Sequence, residues 1–186
     1  MFWWIPNAYI KYPCTAEGLR AAQMSVQQGM RFNITLCFSQ PQAAAVYAAT
    51  KGTKQPAYVS PFVGRLDDLG QNGMDVVKNI KQMFLKGDGH VLVLAASIRS
   101  LEHLLYCFAL ETELVTVPAK TLELWASENF LMPDKQFQYK SSGEPIPYEE
   151  LDLERPWEAF DIQHELTRKG IEKFAADYRA TLSRPA

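Results

Sequence analysis

The sequence predicts an α/β fold built on a parallel sheet. Strand-like apolar runs alternate five times with helical stretches, the signature of consecutive βα units. The runs, Val91-Leu92-Val93-Leu94-Ala95-Ala96 above all, are apolar throughout, as strands covered on both faces are. With 186 residues, 47% of them hydrophobic and 22% charged, the chain can bury one core.

The elements follow in order. Residues 8–11 form a short strand closed by Pro13, and 15–29 a helix opened by Thr15, with Glu17 in its first turn and Gly29 as its stop. The second unit pairs the β-rich run 33–38 with the alanine-rich stretch 41–50, ending near Gly52. The third is the strand 57–63 and the helix 73–85, where Met74, Val76, Val77, Ile80, Met83 and Phe84 repeat at helical spacing before Gly87. The fourth joins the run 90–96 to a helix 101–110, with Ser100 as N-cap. The fifth strand, 114–117, stops at Pro118 and is followed by helical 121–127.

Segment 128–161 breaks the rhythm with Pro133, Pro145, Pro147 and Pro156, and reads as an ordered excursion or flap. Segment 162–183 is the C-terminal helix, with its pattern clearest over 166–182. Ile171, Phe174, Ala175 and Tyr178 lie on one face, Lys169, Glu172, Lys173 and Asp177 on the other. That amphipathic helix is expected to pack back on the barrel wall. Two architectures share this pattern, an open doubly wound sheet and a closed (β/α)8 barrel. A complete barrel takes roughly 250 residues, about 31 per unit, so the chain is about three units short of one.

Lys and Arg number 19 against 21 Asp and Glu, a formal charge of -2 with both signs scattered, so no basic field invites nucleic acid or an anionic membrane. No apolar run reaches about 18 residues and the opening lacks a signal-peptide pattern, which makes a cytoplasmic location the expectation. Cys14, Cys37 and Cys107 are odd in number and far apart, and are expected as buried free thiols. His90, His103 and His164 show no metal-ligand spacing, so no metal site is expected.

In βα barrels chemistry gathers at the C-terminal ends of the strands, and polar residues stand there in this chain. Lys11 follows the first run. Inside a barrel mouth, desolvation would favour its free amine, which can attack a ketone; the alternative is a lysine whose stem lies on apolar surface and whose ammonium reaches water. Thr35 can hydrogen-bond a water or simply be a strand threonine. Ser60 lies in the third strand with Arg65 in its loop, and Ser97 and Arg99 follow the fourth. Two guanidinium forks and a hydroxyl suit a terminal phosphate, or are surface arginines and a capping serine. Asp67 and Asp68 are expected to form a turn and partner Arg65. Gly70-Gln71-Asn72-Gly73 precedes a helix and is a weak phosphate motif.

Taken together, Ile10-Lys11-Tyr12-Pro13-Cys14-Thr15-Ala16-Glu17-Gly18-Leu19, Asn33-Ile34-Thr35-Leu36-Cys37-Phe38-Ser39, Tyr58-Val59-Ser60-Pro61-Phe62-Val63-Gly64-Arg65 and Ala95-Ala96-Ser97-Ile98-Arg99 resemble the transaldolase family of class I aldolases. The resemblance covers about residues 8–127. It implies an incomplete (β/α)8 TIM barrel of class I aldolase type, with strands 4 to 8 present and the first three βα units absent. By it, Lys11 matches the Schiff-base lysine and Thr35 the threonine that helps hold a catalytic water. Ser60, Phe62, Arg65, Ser97 and Arg99 match substrate-binding positions, the arginines and Ser97 receiving the sugar phosphate.

The implied activity is transaldolase, a step of the pentose phosphate pathway. A dihydroxyacetone unit passes from sedoheptulose 7-phosphate or fructose 6-phosphate to an aldose phosphate through a lysine Schiff base, with no metal or organic cofactor. Related fructose-6-phosphate aldolases usually carry tyrosine at the position of Phe62 and release free dihydroxyacetone, so Phe62 points to transfer. The alternatives are an aldolase-like lyase and an inactive truncated barrel that binds sugar phosphate. The family's Asp, Asn and Glu from the first three strands have no counterpart here, and low activity of the isolated chain is expected. An open barrel edge and the apolar Phe2-Trp3-Trp4 need covering, by a homo-oligomeric partner or by an N-terminal segment.

Overall fold

The structure, a computed structural model, describes residues 5–134 and 136–182. Phe2-Trp3-Trp4 and the last residue of the expected C-terminal segment lie outside the described residues. Five strands form the sheet: β1 Ile10–Pro13, β2 Phe32–Cys37, β3 Ala57–Pro61, β4 Val91–Ala95 and β5 Leu114–Val115. Between and after them come α1 Ala16–Gln27, α2 Gln40–Ala49, α3 Gly64–Asp67, α4 Gly73–Phe84, α5 Leu101–Ala109, α6 Ala119–Ser127 and α7 Glu165–Leu182. Thr15 Oγ1 accepts from the Gly18 amide at 3.2 Å and Ser100 Oγ from His103 at 3.2 Å, each satisfying an amide that the first helical turn leaves free. β1 runs two residues later than expected. Pro13 closes it opposite Thr35, tolerated because an edge strand can spare an amide. The short α3 had no periodic signal.

All strands pair in parallel in the order β1-β2-β3-β4-β5. A doubly wound sheet reverses its order at a switch point, and this one does not. Residues in register across neighbouring strands share a face. Ile34, Val59 and Val93 form one such row, fully buried on the side of α1, α2 and α4. Each contributes roughly 1.5–3 kcal/mol by leaving water. The neighbouring row is Lys11, Asn33, Tyr58 and Leu92, on the opposite face. There Lys11 is exposed and Tyr58, Leu92 and Leu94 are only half-buried. The apolar β4 run is therefore covered on one face, not on both.

Segment 128–161 is a strap along the outer helices. Gln40 Nε2 donates to the Glu149 carbonyl at 3.1 Å and its Oε1 accepts from the Glu149 amide at 2.7 Å, while Asn79 Nδ2 donates to the Ile146 carbonyl at 3.0 Å. The strap and the residues after it insert Leu153, Trp157, Phe160 and Ile162 into the core. After the strap, α7 returns to the sheet. It packs on β2, where Thr167 Oγ1 donates to the Leu36 carbonyl at 2.9 Å and accepts from Gln42 Nε2 at 2.9 Å. No described helix is long and apolar enough to cross a membrane.

Candidate active site

Lys11 and Thr35, separate in sequence, line one open cavity of about 360 Å³. Pro13 and Leu36 complete its strand side, and Ile171, Phe174 and Ala175 of α7 form the other wall. The Lys11 amine is not enclosed, because the sheet face that carries it is open.

Thr35 is aimed by an irregularity. Ile34 pairs with Val59 but Cys37 with Pro61, so β2 carries one extra residue, and Leu36 takes up the turn at φ 59°. A left-handed leucine costs about 1–3 kcal/mol and persists only where its surroundings fix it. Here its carbonyl is held by Thr167, and its side chain is buried against Gly170 of α7. Thr35 is 5% exposed, and its Oγ1 has no hydrogen-bond partner among the described residues. A buried hydroxyl left unpaired costs about 1–3 kcal/mol, so Thr35 Oγ1 has bonding capacity to offer a further donor or acceptor.

Beside this cavity Ser60 Oγ donates to Asn33 Oδ1 at 2.8 Å, both side chains being buried. Asn33 was not singled out from the sequence. Its spacing of two from Thr35 was the available signal, since that places both on one strand face.

The two arginines stand on neighbouring loops. The Val63 amide donates to Ala96 O and the Gly64 amide to Ser97 O, both at 3.0 Å, which ties the loop after β3 to the loop after β4. Half-buried Ser97 sits at the joint with φ 59°. Arg99 crosses Gly64, where a side chain would stand 2.6 Å from Arg99 Cδ, and reaches Asp68 in a two-pronged pair, Nη2 to Oδ2 at 2.7 Å. The sequence had suggested Arg65 as the partner of these acids. Instead half-buried Arg65 turns towards α7, its guanidinium carbon 5.2 Å from the ring centre of Phe62 and 5.4 Å from that of Phe174. Burial, followed by the nearby Arg99, draws the Arg65 pKa down, against the pull of Asp68. Phe62 itself is packed on Phe38, with ring centres 5.7 Å apart.

The remaining candidates have local duties. Asp67 Oδ1 accepts from the Gly73 amide at 3.0 Å, so the amide that would open the glycine loop to phosphate is already used. His164 stacks on Phe38 and accepts the Leu166 amide at Nδ1, at 3.2 Å, and burial lowers its pKa, consistent with a neutral acceptor. Among the described residues no three His, Cys, Asp or Glu side chains converge to hold a metal. Cys14, Cys37 and Cys107 are buried and unpaired by disulfide.

Comparison with known proteins places the chain alongside enzymes of one kind. The family model described as Transaldolase/Fructose-6-phosphate aldolase matches residues 2–184. A protein of Roseiflexus sp. named "Probable transaldolase" is 34% identical over 177 residues, which cover 95% of this chain and 63% of that relative. One of the same name from Herpetosiphon aurantiacus is 42% identical over 176 residues, covering 95% and 61%. Another from Caldicellulosiruptor saccharolyticus is 44% identical over 118 residues, covering 63% and 52%. The chain thus spans less than two thirds of the length of these relatives.

Proposed function

Because the chain belongs to the transaldolase/fructose-6-phosphate aldolase family, we propose that it carries the imine-forming and phosphate-gripping part of a transaldolase. The observation that carries the reading is the shared cavity of Lys11 and Thr35, with the Thr35 hydroxyl buried and unpartnered at its wall.

The Lys11 amine adds to the ketone carbon of a ketose phosphate, and the adduct loses water to give a protonated imine. The adjacent carbon–carbon bond then breaks as a base removes the proton of the neighbouring hydroxyl. Its electron pair passes to the imine nitrogen and an aldose phosphate leaves. The enamine that remains holds three carbons, attacks the aldehyde carbon of a second aldose phosphate, and water releases the new ketose from Lys11. Thr35 would hold the water lost and regained, and Ser60 with Asn33 the hydroxyls of the bound sugar. Arg65, Arg99 and Ser97 would receive the phosphate. Sedoheptulose 7-phosphate and fructose 6-phosphate are the proposed donors. Phe62 offers no hydroxyl to protonate the enamine, which favours transfer over release of dihydroxyacetone.

The reading includes an incomplete (β/α)8 barrel. It is supported by five parallel strands in unreversed order, α1, α2 and α4 on one face, and a second face that leaves Tyr9 and Leu114 exposed beside half-buried Tyr58, Leu92 and Leu94. A second copy, or a segment with three further βα units, would cover that face, and the groups that move protons would come with the cover.

The test is borohydride reduction in the presence of fructose 6-phosphate, followed by peptide mass mapping. A stable adduct on Lys11, lost in Lys11→Ala, is expected. An unmodified Lys11 under saturating sugar phosphate overturns the reading.

A further inference from the structure

Arg65 differs from Arg99, the other arginine at the site. Arg99 is committed to Asp68, whereas among the described residues no carboxylate pairs with Arg65 and none of its N–H donors has a hydrogen-bond partner. What touches it is aromatic: Phe62 from its own loop and Phe174 from α7, at 5.2 and 5.4 Å. A ring facing a guanidinium is attracted to its charge without binding its N–H groups as a carboxylate does. The same helix makes room one turn earlier. A side chain at Gly170 would stand 2.7 Å from Arg65 Nη1 and 2.6 Å from Leu36 Cδ2, so a larger residue would push the ends of both side chains aside. Phe174 is nevertheless 41% exposed, so burying its ring cannot be its whole role.

We propose that Phe174 is a positioning residue: together with Phe62 it holds the Arg65 guanidinium so that its N–H fork stays open to a phosphate monoester at the mouth of the Lys11 cavity. The inference rests on the reading of Arg65 as a phosphate receiver. It gives α7 a part in binding that no strand-end motif contains. It also joins the two halves of the site, since Phe174 lines the Lys11 cavity and touches Arg65.

The test titrates inorganic phosphate into the full chain by nuclear magnetic resonance while following the Arg65 Nε–H signal. Arg65→Ala should weaken phosphate binding more than about tenfold. Phe174→Leu, which keeps apolar bulk but has no π face, should weaken it about three- to tenfold, the range of a partly desolvated cation–π contact. It should also shift the Arg65 signal, which has lost a ring current. Phe174→Tyr should restore both to within about twofold of the parent. If Arg65→Ala weakens binding and Phe174→Leu does not, the positioning role is overturned and the phosphate reading survives. If Arg65→Ala changes nothing, or the parent binds no phosphate, the phosphate reading fails and the proposal falls with it. Should Phe174→Leu fail to fold, Phe174→Met carries the same comparison.

Discussion

Arg65 and Arg99 bear the same charge on adjoining loops, yet one has its donors free and the other has spent two of them on Asp68. A phosphate meeting Arg99 must share its donors and charge with that carboxylate or displace it, while Arg65 needs no exchange. The Arg99–Asp68 pair is about half exposed on both sides and worth no more than about 1 kcal/mol, because water screens it. Asp68→Asn should therefore tighten inorganic phosphate binding by up to about fivefold, read by isothermal titration. An unchanged or weaker affinity would mean that Arg99 does not face the ligand. The residue types at the site were legible beforehand because Lys, Thr, Ser and Arg stand out on apolar runs. Their partners were not. That Asp68 serves Arg99 depends on Gly64 giving passage to a side chain from the next loop, which local sequence does not encode.

At the level of elements, the apolar and β-rich runs, the period-3.6 pattern and the turn and cap residues located the five strands and six of the helices to within a few residues, since these signals mark where the chain leaves water and where it turns. They missed α3, a single turn too short to show a period. They gave no precise seat for α7, because its stripe of Ile171, Phe174 and Ala175 was visible but carries no mark of which apolar surface it meets. The structure resolves that choice through Thr167 and Gly170, which seat the helix on the bulge at Leu36. Gly170→Ala measures the fit. On an open helix this change gains about 1 kcal/mol, but here the methyl group must push aside the ends of the Leu36 and Arg65 side chains, so urea unfolding should show less than that gain. The full gain would show that α7 is not held close to β2.

For the whole molecule, the consequence lies in the uncovered face. Tyr9 and Leu114 are 39% and 41% exposed, and with half-buried Tyr58, Leu92 and Leu94 they form apolar surface of the kind that marks an interaction site. Sedimentation should give a mass above that of one chain, rising with concentration, and Leu92→Glu should return it to the monomer with helical content intact. A strictly monomeric parent would leave a further segment as the proposed cover. The fold class was readable from alternation alone. Which face stayed bare was not, because a run such as residues 91–96 looks the same whether its second side meets helices or water. The unreversed strand order also has a bearing on how such a chain can be joined to others. Among the described residues its two margins, along β1 and β5, are unpaired and lie at opposite sides of the sheet, so on the proposed reading new strands would dock at either by main-chain bonding with no existing crossover rethreaded. The molecule is in that sense a tile, open to ligation, fusion or complementation from two directions.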